Sequence, residues 1–219
     1  MELDSELKDI MFECYKSTKV MAKLLFPDRF FLPFSSKLHD KIFEVIDNDE
    51  IKKVVIAAPR GIGKTSIMNL VYPARNILFR QKRYIVPISC SSTAAIEQSE
   101  NLKHELVMNP LIKKLFMCQK SDSWSQDEWI VKWFNSEGVL EYATKVFPRG
   151  AEQQVRGMLW GNYRPDLILV DDLEDPLHID SDEQRSKKKK WFFDDVMKSV
   201  LLWSKEDDKS HRWLSLIHI

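Results

Sequence analysis

Cysteine is scarce and unpatterned here: Cys14, Cys90 and Cys118 lie far apart and in no metal-ligand spacing. That spacing argues against a zinc module or a disulfide framework and suits free thiols in a reducing cytosol. The start of the chain, MELDSELKDI, is acidic and lacks the basic stretch and apolar run of a secretion signal. No apolar run approaches the roughly 18 residues that a membrane helix needs, so the expectation is a soluble, intracellular protein with no membrane partner. Neither sign of charge is in excess, with 33 Lys+Arg against 33 Asp+Glu, so any nucleic-acid surface would have to be local. Repeats and low-complexity linkers are missing too. What remains is ordinary globular composition, 44% hydrophobic and 30% charged over 219 residues. That length accommodates one α/β domain with a helical extension.

Apolar residues Leu7, Ile10, Met11, Cys14, Met21 and Leu24–Leu25 recur at helical intervals and predict a helix over 5–25. Pro27 and Pro33 then break the chain, and Ser35–Ser36 can cap a second helix carrying Leu38, Ile42, Phe43 and Ile46. VVIAAP (54–59) is apolar throughout, as expected of a central parallel strand buried on both faces, and 64–80 continues as a helix. YIVPISC (84–90) reads as the next strand, with Pro87 pointing to an edge or an irregular stretch. Thr93 is placed to cap a helix over 94–107 that Asn109-Pro110 ends. Residues 128–134 and 139–147 read as a hairpin around Asn135–Gly138, followed by a polar loop over 151–165. LILVDD (167–172) is a further buried strand, and a long helix is expected over about 182–203. Strands alternating with helices predict an α/β fold with a mostly parallel central sheet flanked by helices. The expected division is a helical extension over 1–33 and the sheet domain over 34–213. The seven tryptophans stand among apolar neighbours and read as core.

Residues 58–65, Ala-Pro-Arg-Gly-Ile-Gly-Lys-Thr, match the phosphate-loop pattern G-x-x-x-x-G-K-[ST] except that Ala58 replaces the first glycine. A tight turn between strand and helix aims successive N–H groups at phosphate oxygens, and the glycines permit the angles this needs. The site expected to bind ATP is therefore Pro59, Arg60, Gly61, Ile62, Gly63, Lys64, Thr65 and Ser66. Lys64 reaches the β and γ phosphates, and the Thr65 hydroxyl ligates Mg²⁺. LILVDD supplies the complementary acids at the C-terminal end of a buried strand, where α/β sheets bind ligands. Asp171 is the candidate Mg²⁺ partner and Asp172 the candidate that positions water, with Glu174 as the alternative for that role.

APRGIGKTS followed by RPDLILVDDLEDP resembles the large terminase subunit of tailed bacteriophages, over roughly residues 30–213. Arg60 inside the loop, and Gln184, Arg185, Trp191 and Phe192 after the acids, share in the resemblance. It implies a phosphate-loop ATPase domain driving double-stranded DNA into a capsid, acting as a homo-oligomeric ring with a portal and a small terminase subunit in the host cytoplasm. Under the same resemblance, Lys64 and Thr65 bind phosphate and Mg²⁺, Asp171 holds the metal and Asp172 takes the catalytic acid position. Many family members have Glu there, which keeps Glu174 open. Arg156, in QQVRG, is either an arginine finger reaching a neighbouring subunit or a solvated loop arginine. His39 stands near the place of the family's adenine-contacting glutamine, but reads as an ordinary surface or half-buried residue. Lys187–Lys190 are either a DNA contact or, the favoured reading, a solvated helix face. The competing readings are a helicase-type translocase and a non-catalytic nucleotide-binding module. Finally, LSLIHI (214–219) matches the translation of a transposon end used in sequencing libraries, and is expected to be read-through on a truncated gene. A second clone of the gene is expected to diverge from LSLIHI; an intact, continuous frame through it would refute this.

Overall fold

The computed structural model describes residues 4–173, residues 181–199 and the backbone of residues 212–218. The runs of uninterrupted apolar sequence decide where the centre of the sheet lies. Its order is β1 (Lys53–Ala58), β8 (Arg212–His218), β7 (Leu167–Asp171), β2 (Tyr84–Ser89), β5 (Leu140–Val146), β4 (Trp129–Phe134) and β3 (Gln119–Trp124), with β6 (Arg149–Gly150) pairing to β2 beyond the end of β5. β2 and β7 are buried at every position. Ile85, Leu167 and Leu169 join one core, while Tyr84, Val86, Ile88, Ile168 and Val170 join another on the opposite face. The first core is closed by α1 (Ser5–Lys16), α2 (Thr18–Leu25) and α3 (His39–Asp47). It is completed by the helical run α4 (Lys64–Ser66), a π-helical turn over Ile67–Val71 and α5 (Tyr72–Leu78), together with α6 (Ser92–Met108) and α7 (Pro110–Phe116). The second core includes Val155 and, from the helical run α8 (Asp182–Trp191), π-turn Phe192–Val196 and α9 (Met197–Ser199), the residues Trp191, Phe192, Val196 and Met197.

The class is α/β as expected, with a central sheet that is mixed. Pairings from β1 across to β5 are parallel, and those joining β5 to β4 and β4 to β3 are antiparallel. The hairpin at Asn135–Gly138 makes the β5–β4 pairing: the Asn135 carboxamide accepts the Glu137 and Val139 N–H groups and turns the chain back on itself. β3, sequence QKSDSW, has no apolar alternation, which left it unread in the sequence.

Several local expectations are corrected. β1 is an edge strand buried on one face only, with Val54, Ile56 and Ala58 inside and Val55 56% exposed. Pro87 sits in a central strand rather than at an edge, and the irregular stretch, the other expectation, lies in its neighbour. The carbonyls of Arg83, Ile85 and Ser89 accept from Lys145, Phe147 and Ala151, so position 87 points its missing N–H at the interruption between β5 and β6. The helix expected over 5–25 breaks at extended Ser17, whose hydroxyl caps α2. Ser91, not Thr93, caps α6 by accepting from Ala94 N–H at 3.2 Å. At α3 the Ser35 carbonyl, rather than a serine hydroxyl, takes the first N–H groups. Pro73 cannot donate to the preceding turn, and the π-helical turn just before it absorbs the defect. Of the tryptophans described with their side chains, Trp129 and Trp133 are core, while Trp124, Trp160 and Trp191 are only half-buried. All three cysteines are free. Among the described residues no helix is long and apolar enough to cross a membrane.

β7 and β2 are tied at their starts by Asp166, 9% exposed, whose carboxylate accepts the N–H groups of Arg83 and Tyr84 at 2.8 and 2.9 Å. Burial outweighs these donors and pushes the Asp166 carboxyl up to about 6. A carboxyl raised in the folded state stabilises it at low pH, and that contribution is lost as pH rises through about 6. The stability of the wild type relative to Asp166→Asn, measured by urea unfolding, is therefore expected to fall by about 1–3 kcal/mol between about pH 4 and pH 7.

Candidate functional site

Five residues, 59–63, join the end of β1 to the start of α4. Gly61 (φ 82°) and Gly63 (φ 77°) are both left-handed, and a Cβ at either would meet nothing within 4 Å. The glycines are thus required by backbone angle and not by crowding. Ala58 is the last strand residue, 2% exposed and not left-handed, so nothing there demands the glycine of the general pattern. Lys64 is buried and its Nζ donates to the Ala58 carbonyl across the base of the loop. Pro59 and Arg60 are exposed; Ile62, Thr65 and Ser66 are half-buried. The Ile62 carbonyl accepts from Nε2 of His39, at 2.8 Å, on half-buried α3.

Asp171 ends β7 at 2% exposure. Its Oδ2 accepts from the Asn69 amide at 2.8 Å and from the Gln98 amide at 3.3 Å, and Asn69 also donates to the Gln98 carbonyl oxygen at 2.9 Å. Asn69 lies one turn beyond Thr65, inside the π-helical turn, and Gln98 is on α6. The loop helix, the acid-bearing strand and α6 are therefore joined by one amide–carboxylate cluster. Thr65, Ser66, Asn69, Gln98 and Arg29 line a small cleft beside it. Asn69 and Gln98 were missed in the sequence; the available signal was a lone amide in the apolar run IMNLVYP.

Asp172 follows at φ 42°, in the left-handed region that Asp tolerates better than most residues, so the chain turns sharply where the strand ends. It is half-buried where Asp171 is buried, and the two neighbouring acids occupy different environments. Glu174 lies outside the described residues. Among those described, no group of three or more His, Cys, Asp and Glu could hold a metal. The hydroxyl of Thr65 and the carboxylate of Asp171 are hard oxygen donors of the kind Mg²⁺ accepts alongside its waters.

The loop carrying Arg156 starts at Gly150, where a Cβ would lie 2.4 Å from the Ser92 nitrogen at the head of α6. Only glycine lets β6 approach so closely. Val155 is fully buried, and the Trp191 indole donates to the Gln153 carbonyl at 3.0 Å, docking the loop on α8. Arg156 itself is exposed. On α8, capped by a Ser181–Gln184 box, Lys187 pairs with Glu183 at 2.9 Å, and Lys187, Lys189 and Lys190 face solvent.

Removing the Asn69 amide withdraws a donor from a buried carboxylate. Asn69→Ala is expected to cost about 1–3 kcal/mol of unfolding free energy, and the longer, half-buried Gln98 bond about 1 kcal/mol or less in Gln98→Ala, both read from urea titrations.

No family model and no curated protein matches the sequence. Solved structures do match. The large terminase ATPase domain of a Thermus phage is similar at TM-score 0.49 and 11% identity, over 74% of this chain and 58% of that one. The large terminase of a thermophilic bacteriophage, solved in complex with ADP, is similar at TM-score 0.44 and 13% identity, over 85% of this chain and 45% of that one. Both of these structures are large terminases of thermophilic phages, and this chain spans about half of their length.

Proposed function

We propose that this chain is a phosphate-loop ATPase domain that hydrolyses ATP with Mg²⁺ to drive double-stranded DNA into a viral procapsid. The observation that carries the reading is the convergence of the glycine loop and the acid-bearing strand through Asn69 and Asp171. The motifs APRGIGKTS and RPDLILVDD, with their resemblance to large terminase subunits, supply the motor.

In this reading the backbone N–H groups over 60–65 bind the β and γ phosphates, and Lys64 adds the charge that a loop of neutral donors lacks. The Ala58 carbonyl accepts from the lysine and holds it at the base of the loop. Thr65 and Asp171 would hold Mg²⁺, whose bound charge neutralises the phosphoryl oxygens. Asn69 and Gln98 hold the Asp171 carboxylate in one orientation, so that the group is set before ligand binds. Asp172 accepts a proton from water or orients it, from the left-handed turn that ends β7. Glu174 remains the alternative for that role. Arg156 is exposed on a docked loop, which suits a cation supplied to the nucleotide of a neighbouring copy in a ring. DNA, the portal and the small terminase subunit are the partners that the same resemblance implies, in the host cytoplasm.

ATPase and nucleotide-binding assays on two variants test this. Lys64→Ala is expected to lose both binding and turnover. Asp172→Asn, sterically suited to the left-handed position, is expected to bind nucleotide within about threefold of wild type while turnover falls about a hundredfold or more. Equal turnover in both variants and wild type would remove the catalytic reading. Binding without turnover in the wild type would favour a nucleotide-binding module, and full activity of Asp172→Asn would move the water-positioning role to Glu174.

A further inference from the structure

We infer that His39 is a positioning residue for the phosphate loop: it holds the peptide plane between Ile62 and Gly63 so that the N–H of Gly63 faces into the loop. The inference rests on the loop being the phosphate site proposed above. The Ser35 N–H donates to His39 Nδ1 at 2.9 Å, which leaves that nitrogen without a proton and places the ring's proton on Nε2. Nε2 then donates to the Ile62 carbonyl at 2.8 Å. The imidazole also meets Phe34, tilted at 52° with ring centroids 5.3 Å apart, and Phe34 meets buried Phe43 edge-on at 4.9 Å. Both nitrogens are therefore bonded and the ring has an aromatic neighbour, so the imidazole is a fixed donor rather than a mobile surface group.

The consequence follows from peptide geometry. In a trans peptide the C=O of one residue and the N–H of the next point in opposite directions, and this chain has no cis bond. Drawing the Ile62 carbonyl towards α3 aims the Gly63 N–H the other way. A flip of this plane changes ψ of Ile62 and φ of Gly63, and glycine accepts either sign of φ, so the loop's own backbone resists the flip weakly. Flipped, the plane would present a carbonyl oxygen to an anion. The bond from His39 opposes that outcome from outside the loop, without touching nucleotide.

The test is calorimetric binding of ADP, GDP and inorganic tripolyphosphate to the full chain and two variants. His39→Phe keeps an aromatic ring against Phe34 and loses both nitrogens; His39→Gln keeps a donor of similar reach. Loss of one such hydrogen bond predicts about tenfold weaker binding of all three ligands to His39→Phe, with His39→Gln within about threefold of wild type. Wild-type affinity in His39→Phe would overturn the inference. So would an equal loss in both variants, which marks a packing or folding role. A loss confined to ADP would overturn it in favour of a nucleobase contact. Lys64→Ala in the same series separates the two levels: wild-type binding there would remove the phosphate site itself, whatever His39 does.

Discussion

A strand buried on both faces cannot leave a carboxylate unanswered at either end, and β7 has one at each. Transfer of an ionised group into an apolar interior costs several kcal/mol or more unless donors meet it. Asp166 at the start of β7 is met by the backbone N–H groups of Arg83 and Tyr84, which sets β2 against β7. Asp171 at its end is met by the amides of Asn69 and Gln98, which brings in the loop helix and α6. One five-residue strand thereby dictates its neighbour in the sheet and the two helices that frame the candidate site.

The loop is organised by a similar division of labour. Its glycines supply angles that other residues resist, and the same freedom leaves its peptide planes loosely determined. Order comes from outside, through Lys64 on the Ala58 carbonyl and His39 on the Ile62 carbonyl. His39 is in turn placed by α3, whose far end is anchored at Asp47. There the Thr18 N–H donates at 3.0 Å and Arg75 lies 3.8 Å away, with the Arg75 Nε donating to the Tyr15 carbonyl. The N-terminal helices therefore share the first core and a polar junction with the helix that leads out of the loop.

Much of the frame was legible because it rests on local chemistry. The loop glycines, the buried runs at 84–89 and 167–171, and the Asn135–Gly138 turn each announce a backbone conformation within a few residues. Several misreadings share one physical origin, which is dependence on a partner distant in sequence. Pro87 looks like an edge residue until the gap between β5 and β6 is seen to accommodate it. The run 54–58 is as apolar as β7, yet its place at the edge leaves Val55 exposed. Asn69 and Gln98 become legible only once Asp171, 102 and 73 positions away in sequence, needs donors.

The residues alone fix which glycines can turn left-handed between β1 and α4, that 84–89 and 167–171 are buried strands, and that two adjacent acids close the second of these. These follow from steric limits and apolar periodicity, which act over a few residues. Folding of the whole chain settles that Asp171 is bound by amides of two helices, and that a histidine in a helix some twenty residues upstream grips the loop's carbonyl at 2.8 Å. Hydrogen bonds between distant segments depend on where packing places their donors, and packing is a property of the whole chain.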